Sequence, residues 1–282
     1  MPAPIVSWNP LRYVNSMIDE GTPTLDEVCA EARDLGFTHV EWHYGVIEPH
    51  DLDHIREVRK LQEKYGLRVS QWTCAPDFTH PDPAERAAQL ERMKHEVDVA
   101  KEIGAAGVRA TAGCRHPGVS EEQGIEWAVE GLLALAEYAE PRGVKIGYEN
   151  HYRDRRWTEE DFSFRQETFL AIFDRIKDSY VGVNFDCSNQ LMTYNDPMSV
   201  LEIVKHKVWH CHASDRVPGK YDHSVIGEGS VNFDPIFACL ASIGYDGYIS
   251  LEDNNPEGHE GSVRAVAFIR RKILEHWGEP SR

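Results

Sequence analysis

The sequence predicts an α/β protein in which eight parallel strands and their helices close into a single (β/α)8 barrel spanning residues 1–282. Three observations support this class. Helical and short β-rich segments alternate along the chain, the length suits eight such units, and five joints carry a glycine shortly before a strand. Glycine there supplies the left-handed residue that ends a helix. The five glycines are Gly36, Gly66, Gly104, Gly143 and Gly244.

An open, doubly wound sheet is the alternative fold. No predicted strand is followed by the Gly-x-Gly-x-x-Gly pattern of a dinucleotide site. The predicted strands are residues 5–7, 39–43, 68–73, 108–111, 144–149, 181–186, 208–212 and 248–252.

Helix start signals mark several of the segments between these strands. Residues 25–35 follow Thr24 and have Glu27 three positions later, which is the pattern of a capping box. Residues 83–103 begin at Pro83, and proline suits a first helical turn. The other predicted helices are residues 51–65, 121–140, 166–176, 197–204, 234–243 and 262–276.

The composition excludes several classes of partner. The 47 acidic and 30 basic residues give a net charge of −17, and such a surface repels nucleic acids and anionic membranes. No apolar run approaches the roughly 20 residues that span a bilayer, and no signal-peptide pattern is present. The six cysteines are dispersed, which is typical of free thiols in a reducing compartment. We therefore expect a cytoplasmic, single-domain protein without a nucleic-acid or membrane partner.

Polar side chains end four consecutive predicted strands. His210 and His212 share a face of one strand because alternate residues do so, and three other strands end in carboxylates. Charges at the ends of apolar strands are costly to bury unless they are paired or bind a metal, and a barrel brings these ends around one axis. Helix capping or pairing with loop arginines is the purely structural alternative. The candidate metal ligands are Glu149, Asp186, His212 and Glu252.

Three carboxylates and one imidazole are a ligand set that favours one Mn²⁺, Mg²⁺ or Co²⁺ ion. Zinc sites built from thiolates use a different ligand set, but Zn²⁺ stays an option. Proton removal next to a carbonyl that such an ion polarises gives an enediolate. The position to which the proton returns then separates epimerisation from isomerisation, and loss of a leaving group gives lyase chemistry.

Several motifs follow one another in the second half of the chain: Tyr148-Glu149-Asn150, Asn184-Phe185-Asp186, His210-Cys211-His212-Ala213-Ser214-Asp215, Ile226-Gly227-Glu228-Gly229 and Gly244-Tyr245-Asp246-Gly247-Tyr248-Ile249-Ser250-Leu251-Glu252. Their series resembles the xylose isomerase-like TIM-barrel superfamily. This superfamily includes ketose 3-epimerases, hydroxypyruvate isomerase, inosose dehydratase, 3-dehydroshikimate dehydratase, C-glycoside deglycosidase subunits and endonuclease IV. The resemblance implies a divalent metal held by the four candidate ligands. It also implies that Glu149 and Glu252 act as the acid/base pair.

The expected function is a metal-dependent isomerase or epimerase that acts on a ketose or keto-polyol. A lyase acting on a 3-keto sugar, an inosose or dehydroshikimate, or a C-glycoside deglycosidase subunit, is the first alternative. A non-catalytic binding barrel and an endonuclease IV-like nuclease are the others. The expected partner is a small carbohydrate, and both a homo-oligomer and membership of a hetero-complex stay open.

Further side chains are predicted near the site. His43 ends the second strand and faces the predicted mouth, so we expect an additional acid/base group or a substrate contact. Asn189 stands where related proteins often have a histidine that contacts substrate or, in endonuclease IV, binds a second metal. Arginines in the loop at 151–165 suit an anionic substrate group, but ion pairs with acidic neighbours are the favoured interpretation. Substrate contacts are assigned to Asn189, His210, Arg109, Trp72, Arg153 and Glu228, and supporting positions to Asp215 and His151.

Overall fold

Eight parallel strands follow one another around a closed barrel in chain order, and the last strand pairs with the first. The computed structural model describes residues 2–278. The closed barrel confirms the predicted fold and excludes the open sheet. The strands are β1 Ile5–Asn9, β2 His39–His43, β3 Arg68–Thr73, β4 Gly107–Ala110, β5 Lys145–Glu149, β6 Val181–Asp186, β7 Val208–Ala213 and β8 Tyr248–Glu252.

Helices follow the strands and cover the outside of the barrel. They are α1 Leu11–Glu20, α2 Leu25–Asp34, α3 Leu52–Lys64, α4 Pro83–Ile103, α5 Glu121–Ala139, α6 Gln166–Ile176, α7 Met198–Val204, α8 Phe233–Ser242 and α9 Gly258–Trp277. None of the helices in residues 2–278 combines the length and the apolar character that crossing a membrane would require.

Local sequence signals account for most of these boundaries. All five glycines at the predicted joints have positive φ, between 71° and 84°, so the helix-ending role assigned to them is confirmed. The capping box is also confirmed, since the side chain of Thr24 accepts from the backbone of Glu27 and the side chain of Glu27 accepts from the backbone of Thr24.

Helix α1 was not predicted from the sequence. It begins directly after Pro10, without a side-chain cap and without an acidic residue in its first turn, so the usual start signals are missing. The helix follows β1 and lies at the carboxyl-terminal mouth of the barrel, where Leu11, Val14 and Asn15 line a cavity.

A tryptophan closes the opposite end of the barrel. The register between β6 and β7 shifts so that Trp209 has no partner residue of its own, as in a β-bulge. Its ring is 8% exposed and lies against Gly107, Gly147 and Gly182, where an added Cβ would approach it closely. The side chain of Trp209 therefore fills the amino-terminal end of the barrel, and the neighbouring glycines leave the space that its ring needs.

Above Trp209 the barrel interior is polar. Interiors of this fold are commonly filled by Val, Ile and Leu, whereas here most of the apolar side chains lie between the strands and the helices. The fully buried polar residues inside the barrel are Ser7, Glu41, Ser70, Gln71, Asn184, His210 and Ser250. A column of hydrogen-bonding groups therefore leads up to the carboxyl ends of the strands.

Replacing Gly107 with alanine is expected to lower the free energy of unfolding by about 1–3 kcal/mol, the usual cost of overpacking. The added Cβ would lie 2.6 Å from the carbonyl oxygen of Lys145 and would also clash with the Trp209 ring. Urea denaturation followed by circular dichroism measures the loss. Gly147→Ala is the matched control with a smaller expected loss, because its nearest contact is 3.1 Å away. Unchanged stability of Gly107→Ala would contradict this packing.

Candidate metal centre

The four predicted ligands converge at the carboxyl ends of β5 to β8. One ligand atom from each lies within 4.8 Å of the others. Three of the four side chains are fully buried and Glu252 is 9% exposed. The convergence follows from alternation, since each residue is the last inward-facing one of its strand. The four residues are Glu149, Asp186, His212 and Glu252.

The donor set fits a divalent cation. Oxygen donors with one imidazole suit Mn²⁺, Mg²⁺ or Co²⁺, and a site without thiolates does not favour zinc specifically. Buried carboxylates in such proximity need a positive counter-charge, because unpaired buried ions are strongly destabilising. These four residues could therefore hold one metal ion.

His212 lies between carboxylates on both sides of its ring. Its Nδ1 is 2.8 Å from Glu149 Oε1 and 3.7 Å from Glu252 Oε1, and its Nε2 is 2.8 Å from Glu41 Oε1. Burial lowers the pKa of His212, but the charges of Glu41 and Glu149 outweigh it and hold that pKa well above its usual value. A hydrogen bond from Nε2 to Glu41 leaves Nδ1 directed at the candidate ligands.

Glu41 was missed by the sequence analysis. It lies on β2, two residues before His43, and so shares the inward face that His43 was expected to occupy. That alternation was the available signal. Burial raises the pKa of Glu41, yet the neighbouring imidazoles of His212 and His210 lower it to about 2. Glu41 is therefore a buried carboxylate beneath the candidate ligands.

The two glutamates of the predicted acid/base pair have different surroundings. Burial raises the pKa of Glu149, but Arg109, whose Nη1 is 2.6 Å from Glu149 Oε2, and then His212 hold it well below its usual range. Burial and the nearby carboxylates of Asp186 and Glu149 raise the pKa of Glu252 to about 8 against the opposing charge of His212. The two carboxyl groups therefore differ in how readily they hold a proton.

Asp186 is fixed by the loop that follows it. Its Oδ1 accepts the backbone N–H groups of Ser188 and Asn189 at 2.8 and 2.6 Å, and its Oδ2 accepts the hydroxyl of Ser214 at 2.7 Å. Asn189 itself donates to the carbonyl of Asn150 at 3.0 Å. Its side chain is 5% exposed and turned away from the cavity, so the structure corrects the expected substrate contact to a supporting position.

A cavity of about 360 Å³ opens above the ligands. Five residues predicted for the site line it: His43, Arg109, His151, Arg153 and Glu252. Most of its other lining groups are neutral and polar or come from the loop after β5. They include Asn9, Asn15, Thr73, Tyr152, Asp154, Arg155, Tyr221 and Asn254.

The structure places three more of the predicted substrate contacts away from the cavity wall. Trp72 is fully buried and donates its Nε1–H to Glu96 on α4 at 2.9 Å, because it alternates with the inward Gln71 and Thr73. His210 is fully buried below the ligands, with Nδ1 3.0 Å from Asn184 Oδ1. Glu228 pairs with Arg264 at 2.7 Å on the outer surface.

The two predicted supporting residues act on loops. Asp215 accepts the backbone N–H groups of Gly227, Gly229 and Val231 at 2.9 to 3.0 Å and so organises the loop after β7. His151 lines the cavity, and its Nδ1 is 3.3 Å from Asp161 Oδ2. Neither side chain is hydrogen-bonded to the side chain of a candidate ligand within the part of the chain that the structure describes, although the backbone N–H of His151 donates to the carbonyl of Glu149 at 2.9 Å.

His43 has one defined tautomer. Its Nδ1 accepts the backbone N–H of Gly45 at 3.2 Å, so the ring proton belongs on Nε2. Burial, with a smaller contribution from nearby Arg109, lowers the pKa of His43 to about 3 against the opposing charge of Asp154. The ring is therefore a neutral hydrogen-bond donor at the cavity wall.

The chain is similar to a described protein family and to several known proteins. Residues 29–272 match the family described as "Xylose isomerase-like TIM barrel". The ketose 3-epimerase of Arthrobacter globiformis is 24% identical over 230 residues, covering 79% of this chain and 75% of that protein. The inosose dehydratase of Clostridium perfringens (strain 13 / Type A) is 24% identical over 294 residues, covering 93% and 95%. The crystal structure of IOLI protein with a binding zinc atom has a TM-score of 0.73 at 18% identity, covering 98% of this chain and 99% of that chain.

Glu41→Gln is expected to weaken Mn²⁺ binding about 10- to 100-fold, because the hydrogen bond that orients a metal-bound histidine contributes on that scale. Isothermal titration of the protein with MnCl₂ measures the affinity. Glu96→Gln is the matched control, since Glu96 is equally buried but binds Trp72 and His50 outside the barrel. Equal affinities of Glu41→Gln and the wild type would contradict the orienting role.

The ring of His43 is expected to stay neutral as the pH falls to about 4. Its pKa of about 3 lies below the ordinary 6.5, so its contribution to stability is complete above pH 6.5 and is lost as the pH falls from 6.5 towards 3. Two-dimensional ¹H–¹⁵N spectra of histidine-labelled protein report the tautomer and its titration, and His43→Asn assigns the signal. Protonation near neutral pH would contradict the assigned tautomer and burial.

Proposed function

Because the chain belongs to the xylose isomerase-like TIM barrel family, we propose that it is a divalent-metal-dependent sugar isomerase or epimerase. The substrate would be a ketose or keto-polyol, and the reaction would transfer a proton at the carbon next to the carbonyl. One observation carries this proposal: three carboxylates and an imidazole converge at the floor of a cavity whose wall includes several amides and hydroxyls. Such a wall suits a polyhydroxylated molecule.

The ligands would be Glu149, Asp186, His212 and Glu252, holding Mn²⁺, Mg²⁺, Co²⁺ or Zn²⁺. A divalent ion bound there acidifies the C–H group next to a substrate carbonyl by stabilising the negative charge that develops on oxygen. The remaining chemistry belongs to the side chains of the protein.

Glu252 is the best-placed proton carrier. It is the one candidate ligand, among the described residues, that lines the cavity wall. Glu149 lies deeper, and Arg109 keeps it as a carboxylate. Two carboxyl groups beside one substrate carbon can remove a proton from it and return one. His43, with its proton on Nε2, would bind a hydroxyl or carbonyl oxygen of the substrate.

A lyase is the second candidate. Removal of the same proton, followed by loss of a β-hydroxyl group, would dehydrate an inosose, a 3-keto sugar or dehydroshikimate. The similarity to an inosose dehydratase, which extends over 93% of this chain, favours keeping this option. Asn189, in the place of a histidine common in related proteins, agrees with it.

We also propose a cytoplasmic location, because all six cysteines are free and buried, as is typical of a reducing compartment. A small carbohydrate is the proposed partner. Self-association and assembly into a hetero-complex are both compatible with this proposal.

Incubation of the Mn²⁺-loaded protein with a panel of ketoses in D₂O tests the proposed reaction. Deuterium is expected to enter at the carbon next to the carbonyl, and Glu252→Gln is expected to slow this exchange at least about 100-fold, the scale of a lost acid/base group. Nuclear magnetic resonance measures both rates.

The control variant is Glu96→Gln, a buried carboxylate in the helix layer. Absence of exchange with every ketose would reject the isomerase and epimerase assignment. An ultraviolet absorbance from a conjugated enone, formed from an inosose or a 3-keto sugar, would instead identify the lyase.

A further inference from the structure

The arginines of the loop after β5 do not all form the ion pairs that the sequence favoured. Arg156 pairs with Asp154 at 3.2 Å, and Arg155 pairs with Asp19 of α1 at 2.9 Å. Arg153 has no acidic partner among residues 2–278. The positive charge of Arg153 is therefore left without a counter-ion within the described residues.

Arg153 lines the cavity above the candidate metal ligands. Its Nε donates to the carbonyl oxygen of Trp157 at 3.1 Å, and this hydrogen bond fixes the Nε side of the guanidinium. Its two terminal nitrogens donate to no group in the described part of the chain. The free edge of a guanidinium presents parallel N–H donors to an anion.

A second guanidinium borders the same cavity from below. Arg109 is 4% exposed, and it donates from Nε to the carbonyl of Cys74 at 2.9 Å and from Nη1 to Glu149. Its Nη2 has no acceptor within residues 2–278. Arg109 and Arg153 therefore leave donors for a cavity that also contains Glu252.

Arginines are the most numerous charged residues in the lining of this cavity. The chain as a whole has a net charge of −17, whereas the lining contains three arginines against two carboxylates, Asp154 and Glu252. Asp154 already accepts from the backbone and side chain of Arg156 at 3.0 and 3.2 Å. Arg109 pairs with Glu149 and Arg155 pairs with Asp19. Arg153 is therefore the one lining arginine without an acidic partner among residues 2–278, and its guanidinium can bind an anionic group of a ligand.

We propose that the substrate carries an anionic group, a carboxylate or a phosphate, which Arg153 binds at the cavity mouth while the carbonyl end lies over the metal ligands. The inference rests on the proposed function, since it names the substrate class of the same site. A charge-assisted, two-point contact fixes the far end of the substrate and so orients the reacting carbon. A neutral sugar lacks this contact.

Three probes that share a carbonyl end and differ only at carbon 6 test the proposal: D-fructose, D-fructuronate and D-fructose 6-phosphate. Isothermal titration of the Mn²⁺-loaded protein measures each affinity. At least one anionic probe is expected to bind roughly tenfold or more tightly than D-fructose, the scale of a charged hydrogen bond. Preference for D-fructuronate identifies a carboxylate, and preference for D-fructose 6-phosphate identifies a phosphate.

Arg153→Gln is expected to abolish most of this preference, and Arg153→Lys to restore part of it because the charge returns without the planar fork. The matched control is Lys220→Gln, which removes one positive charge from an exposed residue of the loop after β7 that does not line the cavity. Metal content and thermal melting of each variant exclude an effect on folding.

Equal affinity for the three probes, or no binding of any of them, would overturn the proposal. An equal loss of preference in Arg153→Gln and Lys220→Gln would also overturn it, because that result indicates a diffuse field rather than a subsite. Failure of the proposed function can be distinguished from failure of the anion subsite. Preference that depends on Arg153 without deuterium exchange rejects the isomerase but keeps the subsite, whereas deuterium exchange together with equal affinity for the three probes rejects the subsite alone.

Discussion

The burial of four carboxylates around one imidazole is the constraint on which the rest of this structure depends. Glu41 below His212, and Glu149, Asp186 and Glu252 beside it, concentrate negative charge where water cannot screen it. The surroundings compensate in several ways: a buried arginine on Glu149, backbone N–H groups on Asp186, and hydrogen-bond donors on Glu41. The polar barrel interior and the ordered loops at its mouth are consequences of this requirement.

The fold and the candidate ligands could be predicted because both depend on local regularities. Glycines end helices, strands alternate, and a closed barrel brings the carboxyl ends of its strands together whatever their separation in sequence. Glu41 could not be recognised in the same way, because its partner His212 is 171 residues away and it lies one layer below the strand ends. Trp72 was misplaced for the opposite reason: it is close to a strand end, but on the face that packs against helices.

Positions in loops were the least predictable, because their partners come from elements that carry no local signal. Arg155 pairs with Asp19 on α1, a helix that the sequence did not reveal. Glu228 belongs to one of the motifs on which the family resemblance was based, yet its side chain turns outward to Arg264. A motif identifies the backbone path of such a loop, while the direction of each side chain depends on neighbours that are distant in sequence.

The placement of Trp209 has a kinetic consequence. Because its ring fills the amino-terminal end of the barrel over Gly107 and Gly182, the cavity at the other end does not continue through the barrel as a channel, and molecules enter and leave it on the side of the carboxyl-terminal mouth. A molecule that leaves must pass along the route by which the next one arrives. The product therefore has to leave before the next substrate molecule can enter. A product that stays bound would inhibit the protein by competing with the substrate.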